Sequence, residues 1–397
     1  MPDPNRLAQT TTTRVPRIFA NASGAAEHLT KLADSVDEFA HRSGGIARIR
    51  GLRGTQHEHD AAIWKQMADL GWLGILIPAH YGGLGLGLSE MAIVAEGLSR
   101  MLAPEPYNAV VALATTVILE SDNEVIKSEQ LPHIASGDIL PVLAWQEEAG
   151  NLDSAVVAST AVAVDNGYRI SGCKKYIAGA AQADAFLVSA RDGSDLMLFW
   201  IPRECKGVLL QSETLADGRL FGTLTVQDAW IPAPQRIAHG ATAVAALATG
   251  LDFATVVASA ELCGVMDRVL EITLDYMKTR VQFGKPIGSF QALQHRAVDL
   301  YMHSQFSNAV LEEAAQTISP NTDATARALL ASRVKARCSD AALRIARESI
   351  QIHGAMGFTD ECDIGLYMKR ALVLAAWLGN ATHHRRRYAQ LTIAAAA

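Results

Sequence analysis

The chain has 397 residues, 49% of them apolar and 19% charged, with a formal net charge of −6. That composition excludes a disordered polymer, and the mild acidity gives nucleic acid no electrostatic footing. The length supports about two or three cores, and an anionic ligand would need a local basic pocket.

Residues 1–24 contain the run Thr10–Thr13 and three arginines but no apolar stretch of signal length. They are expected to form a disordered leader rather than a secretion signal. Over residues 25–139 the apolar positions recur at helical spacing, Trp64, Met67, Leu70 and Leu73 giving one stripe, which predicts an all-α domain. Its glycine-dense segment Tyr81–Gly87 follows a helix. A phosphate cradle wants its glycines after a strand, so a turn between helices is expected here.

Residues 140–238 change period. Short apolar runs such as Ala185–Val188 and Leu196–Ile201 are separated by Asp165-Asn166-Gly167 and Asp192-Gly193, good hairpin punctuation. A β domain follows, a barrel or sandwich because no helical patterns intervene between strands. Residues 239–397 return to helical spacing, sampled by Phe290, Leu293, Ala297, Leu300 and Tyr301, and predict a four-helix bundle. The fold class is therefore α+β and multidomain. No window is read as the roughly 18 uncharged apolar residues of a membrane span, so no membrane partner is expected. Five scattered cysteines show no metal-cage spacing and suit a reducing compartment, which points to the cytoplasm.

Two motifs carry the chemistry. Arg280-Val281-Gln282-Phe283-Gly284-Lys285-Pro286-Ile287 separates two long helical patterns, and Gln351-Ile352-His353-Gly354-Ala355-Met356-Gly357-Phe358 closes a third. An arginine offers a planar fork to phosphate oxygens, while glycines permit close backbone approach. With the helical–β–helical order, these motifs resemble the acyl-CoA dehydrogenase family over Ala25 to Leu391. The resemblance implies FAD as cofactor, acyl-CoA as substrate and an electron-transferring flavoprotein as electron acceptor. It assigns Arg280, Phe283, Gln291, Gln351 and Gly354 to a grip that crosses a subunit interface and holds the far end of an FAD seated on the neighbour.

The rest of the family's flavin and acyl site departs from the pattern. The resemblance expects a Thr-Glu-Pro loop followed by Gly-Ser-Asp, where this chain has Gln146-Glu147-Glu148-Ala149-Gly150-Asn151-Leu152-Asp153. It expects Trp-Ile-Thr where this chain has Tyr176-Ile177-Ala178. Leucine and alanine side chains donate no hydrogen bond to a flavin ring. The two family positions for the glutamate that removes the α-proton fall on Leu378 and Ala254, both aliphatic. Asp252 and Glu261 share a predicted helix with Ala254, but Asp252 is two residues away and so on a different face and Glu261 is two turns off, and Glu147 and Glu148 are expected in solvent. His353 is expected to be a packing or nucleotide-side residue. The run His383-His384-Arg385-Arg386-Arg387 reads as a solvated helix face or, less simply, a phosphate contact.

The pattern is therefore that of the non-catalytic subunit of a heteromeric acyl-CoA dehydrogenase, similar to those of pimeloyl-CoA or steroid side-chain breakdown. It implies an α2β2 heterotetramer with a second acyl-CoA dehydrogenase-like chain that supplies the glutamate. Two alternatives stand beside it: a self-sufficient homo-oligomeric flavoenzyme with another base, and a flavin-free scaffold or regulatory subunit.

Overall fold

The computed structural model describes residues 17–19, 27–52 and 60–396. Most of the segment expected as a disordered leader lies outside the described residues, but Arg17, Ile18 and Phe19 are packed. Ile18 and Phe19 are buried, the Phe19 amide donates to Glu312 Oε1 at 2.6 Å, and Arg17 pairs with Asp37 at 2.6 Å and with Glu96. For these three residues the leader expectation is corrected.

The first helical part contains α1 (Glu27–Arg42), α2 (Gly45–Leu52), α3 (Ala61–Asp69), α4 (Leu88–Arg100), a π-helical turn Asn108–Ala114 leading into α5 (Thr115–Leu119), and α6 (Glu124–Ala135). Side-chain caps start two of them: Asp60 accepts from the Ala62 amide at 2.8 Å and Asn123 from the Ile126 amide at 3.1 Å, satisfying amides the helix itself leaves unbonded. The glycine-dense loop is spoken for internally. Its Leu84, Gly85 and Leu86 amides donate to the Gly74, Ile77 and Ile75 carbonyls, leaving no cradle for phosphate.

The middle part is one eight-stranded sheet of β1 (Pro141–Ala144), β2 (Thr160–Val164), β3 (Gly167–Ala178), β4 (Ala185–Asp192), β5 (Asp195–Pro202), β6 (Val208–Thr214), β7 (Leu220–Pro232) and β8 (Arg236–His239). The strand order is β6-β7-β3-β2-β4-β5-β8, with β1 pairing β4 in parallel. Both predicted hairpins close where expected, Val164 opposite Gly167 and Asp192 opposite Asp195. Asn166 and Gly193 take φ values of 58° and 56° at these turns, the left-handed backbone that tight hairpins require.

The last part holds α7 (Gly240–Thr279), the short hairpin β9 (Val281–Gln282) and β10 (Lys285–Pro286), α8 (Gln291–Thr317), α9 (Ala324–His353), α10 (Ile364–Ala376) and α11 (Ala381–Ala396). Helix α9 packs against α7, α8, α10 and α11. Helix α7 also crosses α4, at Gly264: a Cβ there would lie 2.2 Å from the Glu96 carbonyl oxygen, so only glycine admits this approach. Contrary to the reading of the sequence, α7 is long and apolar enough by length and composition to cross a bilayer, with a window of mean hydropathy 1.6. That window is 67% buried inside the protein, because α7 is the helix that the other helices pack around.

Candidate functional site

Arg280 lies where α7 stops. Its amide still bonds the Tyr276 carbonyl at 2.8 Å, and its own carbonyl accepts from Ile287 at 2.8 Å to close the hairpin loop. Phe283 (φ 52°) and Gly284 (φ 79°) form the tight turn, which throws the Phe283 ring outward, 91% exposed. Gln291 opens α8, next to Phe290, whose ring carries Lys285 Nζ at 4.4 Å from its centroid. The second motif reaches the same place because the Tyr276 and His353 rings stack at 4.1 Å. Arg280 is thus one turn beyond Tyr276, and Gly354 directly follows His353. Gly354 has φ 60°, and a Cβ there would meet nothing within 4 Å.

The structure therefore gathers Arg280, Phe283, Gln291, Gln351 and Gly354 at one end of the helical domain, all of them exposed. Arg280 has no ion-pair partner among the described residues. An unpaired guanidinium beside open backbone fits the phosphate end of a dinucleotide held from outside this chain. His353 is a packing residue: it is buried, its Nδ1 faces the Ser349 carbonyl at 2.8 Å, and burial lowers its pKa.

The two base positions are structural. Ala254 is fully buried in α7, and its carbonyl accepts from Asn108 Nδ2 at 3.1 Å. Leu378, with φ 60°, sits in the turn that ends α10. That turn is held from beneath by Lys335, a residue on α9 that is 0% exposed. Lys335 Nζ donates to the carbonyls of Leu374 at 2.8 Å, Trp377 at 2.9 Å and Gly379 at 3.0 Å. Burial pushes its pKa down to about 7. His384 completes the clasp through Nε2, 2.9 Å from the Leu378 carbonyl. Burial, reinforced by Lys335, pushes its pKa down to about 3, so the ring is neutral and donates.

Above Leu378 opens a cavity of about 710 Å³, lined mainly by Leu152, Phe221, Val373, Ala376, Trp377 and Leu378. The loop expected to seat a flavin ring borders it, and its carboxylate faces the other way. Glu147 was expected in solvent; instead its Oε1 accepts from Lys174 Nζ at 2.6 Å, Ser159 Oγ at 2.6 Å and the Ser159 amide at 2.9 Å, and its Oε2 from the Ala158 amide at 2.6 Å. Burial raises its pKa, but these donors outweigh it and hold the carboxyl at about 2. Glu148 is exposed as expected. Leu152 fits an isoalloxazine ring poorly, since it offers this cavity aliphatic surface where ring carbonyls and nitrogens need donors; Ala178, the other departure, lines a separate smaller cavity with Phe221.

Other carboxylates near the cavity are engaged. Asp252 is held by Arg327 at 3.2 Å and Arg387 at 2.7 Å. Glu261 bonds Arg370 at 3.2 Å, and Arg370 reaches on to Asp217 at 3.0 Å, linking α7, α10 and the β6–β7 turn. The basic run is not a plain solvated face: His384 and Arg387 turn inward, Arg385 pairs with Asp340, and Arg386 is exposed. Sequence reasoning missed Lys335, Lys174 and Arg370, each a buried cation whose partners are distant in sequence.

Comparison with known proteins agrees with this architecture. The family descriptions "Acyl-CoA dehydrogenase, N-terminal domain" and "Acyl-CoA dehydrogenase, C-terminal domain" match residues 26–138 and 236–392. The chain belongs to the acyl-CoA dehydrogenase family, whose members are FAD-dependent flavoproteins. It is 29% identical to the acyl-CoA dehydrogenase IpdE2 of Mycobacterium tuberculosis, over 87% of this chain and 91% of that protein. Among solved structures it is similar to the ChsE4–ChsE5 complex from Mycobacterium tuberculosis, at a TM-score of 0.84 and 26% identity, covering 93% of this chain and 98% of that one. The Tcur3481–Tcur3483 steroid ACAD gives a TM-score of 0.84 and 26% identity, covering 93% and 99%.

Proposed function

We propose that this chain is the non-catalytic subunit of a heteromeric acyl-CoA dehydrogenase that converts an acyl-CoA to its 2-enoyl-CoA. The observation that carries this reading is the contrast between its two half-sites. The residues around Arg280 are gathered, exposed and, at Arg280, without an ion-pair partner among the described residues, while the two positions that the family resemblance gives to the base, Leu378 and Ala254, are aliphatic. When bound, FAD supplies the hydride acceptor for α,β-dehydrogenation. In this reading Arg280 and the Gly354 backbone hold its phosphate end from across an interface, and a partner chain contributes both the ring seat and the glutamate.

The similarity to two-component complexes, ChsE4–ChsE5 and the Tcur3481–Tcur3483 steroid ACAD, supports an α2β2 assembly and a bulky acyl group of the steroid side-chain or dicarboxylic type. An electron-transferring flavoprotein would take the electrons, and the cytoplasm would house the complex. The test is to purify the chain alone and with a co-expressed acyl-CoA dehydrogenase-like partner, then measure flavin absorbance and mass. The expected result is a colourless lone chain and a yellow complex with about one FAD per pair of chains. A yellow homo-oligomer that turns over alone would overturn the proposal.

A further inference from the structure

We propose that Asp267, in the second half of α7, is carried as the uncharged acid in the folded chain, and that the loss of its proton loosens the junction of α4, α7, α8 and the packed segment Arg17–Phe19. The inference is separate from the shared-flavin reading, which rests on the Arg280 end of the same helix.

The charges around Asp267 do not close. Asp267, Glu96 and Glu271 are all buried. From α4, Arg100 binds both Glu271 oxygens at 2.7 Å and reaches Glu96 at 3.5 Å. From the amino-terminal segment, Arg17 Nε donates to Glu96 at 2.8 Å, and the same guanidinium pairs with Asp37 of α1 at 2.6 Å. Arg268 reaches Glu271 at 3.2 Å from the surface. Four carboxylates thus face three arginines, and the one left without an ion-pair partner among the described residues is Asp267. The other titratable groups packed here bring no cation. Glu312 of α8 is taken by the Phe19 amide at 2.6 Å, Tyr367 of α10 donates to the Arg100 carbonyl at 2.5 Å, and Cys263, one turn before Asp267, faces Cys338 of α9 at 3.8 Å. A buried carboxylate with no cation is costly, and the neutral acid avoids that cost.

What Asp267 touches suits the neutral form. On α8 the Ser304 hydroxyl donates to its Oδ1 at 2.5 Å, while the Asn308 amide nitrogen stands 3.4 Å from its Oδ2, long for a bond to an ionised oxygen. Asn308 Oδ1 is buried and has no donor. A half-turn of that amide exchanges its two ends, and a carboxylic acid O–H then donates to the oxygen that is otherwise unpaired. The carboxyl and the amide satisfy each other only while Asp267 holds its proton. Burial, with Glu96 adding to it, raises the Asp267 pKa to about 7 against the opposing pull of Ser304, Arg100 and Asn308. The unfolded chain gives up the same proton near pH 4. Folding therefore takes up a proton between about pH 4 and 7, and stability falls as the pH rises through that window. Above it a carboxylate without a counterion lies between α7 and α8, and relief comes from admitting water or parting the two helices.

The test uses the full chain. The infrared band of a protonated carboxyl is expected in the parent at about pH 5.5, lost at about pH 8.5, and missing from Asp267→Asn, which keeps the shape and cannot ionise. In urea unfolding, the ratio of the parent's unfolding constant to the variant's should rise at least about tenfold between about pH 5 and 8. Hydrogen exchange at about pH 8 should be faster in the parent than in the variant over residues 300–311 of α8. Should Asp267→Asn fail to fold, Asp267→Ser, neutral and smaller, takes its place. Three results would overturn the proposal: no carboxyl band that the substitution removes, a ratio that stays level across that pH range, or equal exchange in α8. Neither variant touches Arg280, so failure here and failure of the shared-flavin reading are separately visible.

Discussion

At the Arg280–Gly354 end of the helical domain the polar groups face outward and unpaired, whereas at the Leu378 end most of them turn inward and are satisfied within the chain. The first arrangement contributes little to folding and is available to an outside ligand. The second is folding machinery that incidentally shapes a cavity. Similar residue types therefore do different work: Arg280 is free, while Lys335, Arg327 and Arg370 are each buried against carbonyls or carboxylates. A cation taken out of water is tolerable only with such partners, and removing one partner leaves the other uncompensated.

That contrast makes the largest predicted effect one of stability. Lys335→Met should destabilise the chain by about 3 kcal/mol, because three close carbonyls at the α10 end lose their buried donor. Urea unfolding of the lone chain measures it, and a change below about 0.5 kcal/mol would mean the clasp holds nothing. Arg280→Ala should do the reverse. Its stability should stay within about 0.5 kcal/mol of the parent, as for exposed surface changes. Its retention of FAD in the two-chain complex should fall at least about tenfold, the loss of one charge-assisted phosphate contact. Unchanged retention on dialysis would remove the grip assignment.

A smaller effect depends on pH. Glu147 has its folded pKa held at about 2, below the usual carboxylate value. Its contribution is therefore complete above the unfolded pKa and is lost as pH falls from about 4.5 towards 2. Glu147→Gln should flatten that part of the stability–pH curve. An unaltered curve would show that the four hydrogen bonds that Glu147 accepts from Lys174, Ser159 and Ala158 add nothing in acid.

How much of this could be seen beforehand follows from the range of the interactions. The hairpins at Asn166 and Gly193 are local, set by turn residues, and were legible. So was the turn that carries Arg280, Phe283 and Gly284, because a few adjacent residues set it; its grip on a nucleotide is a proposal that Arg280→Ala tests. Lys335 was hidden although its signal exists: Ala328, Ala331, Lys335, Cys338, Ala342 and Ile345 form one buried stripe at helical spacing, and a lysine on such a stripe must find partners. Which partners could not be known, since its carbonyls come from the end of α10, some 39 to 44 positions later. Glu147 was misjudged for the same reason. Its loop looked solvated because Lys174 lies across the sheet on β3. Helix α7 shows the opposite error, an apolar run whose membrane-like length was not noticed, though the surrounding helices explain it.

The smallest predicted effect is none at all, and it bears on whether the Leu378 half-site is dormant or merely incomplete. Restoring a carboxylate by Leu378→Glu, or at the second position by Ala254→Glu, supplies a group able to accept the α-proton of an acyl thioester. It supplies no hydride acceptor, because Leu152 still lines the place where a flavin ring would need donors. The lone variants should therefore show no acyl-CoA-dependent reduction of an artificial electron acceptor. If either turns over, the aliphatic residue was the only missing part, the ring seat is competent after all, and the opposition between a free nucleotide end and a closed acyl end no longer describes this chain.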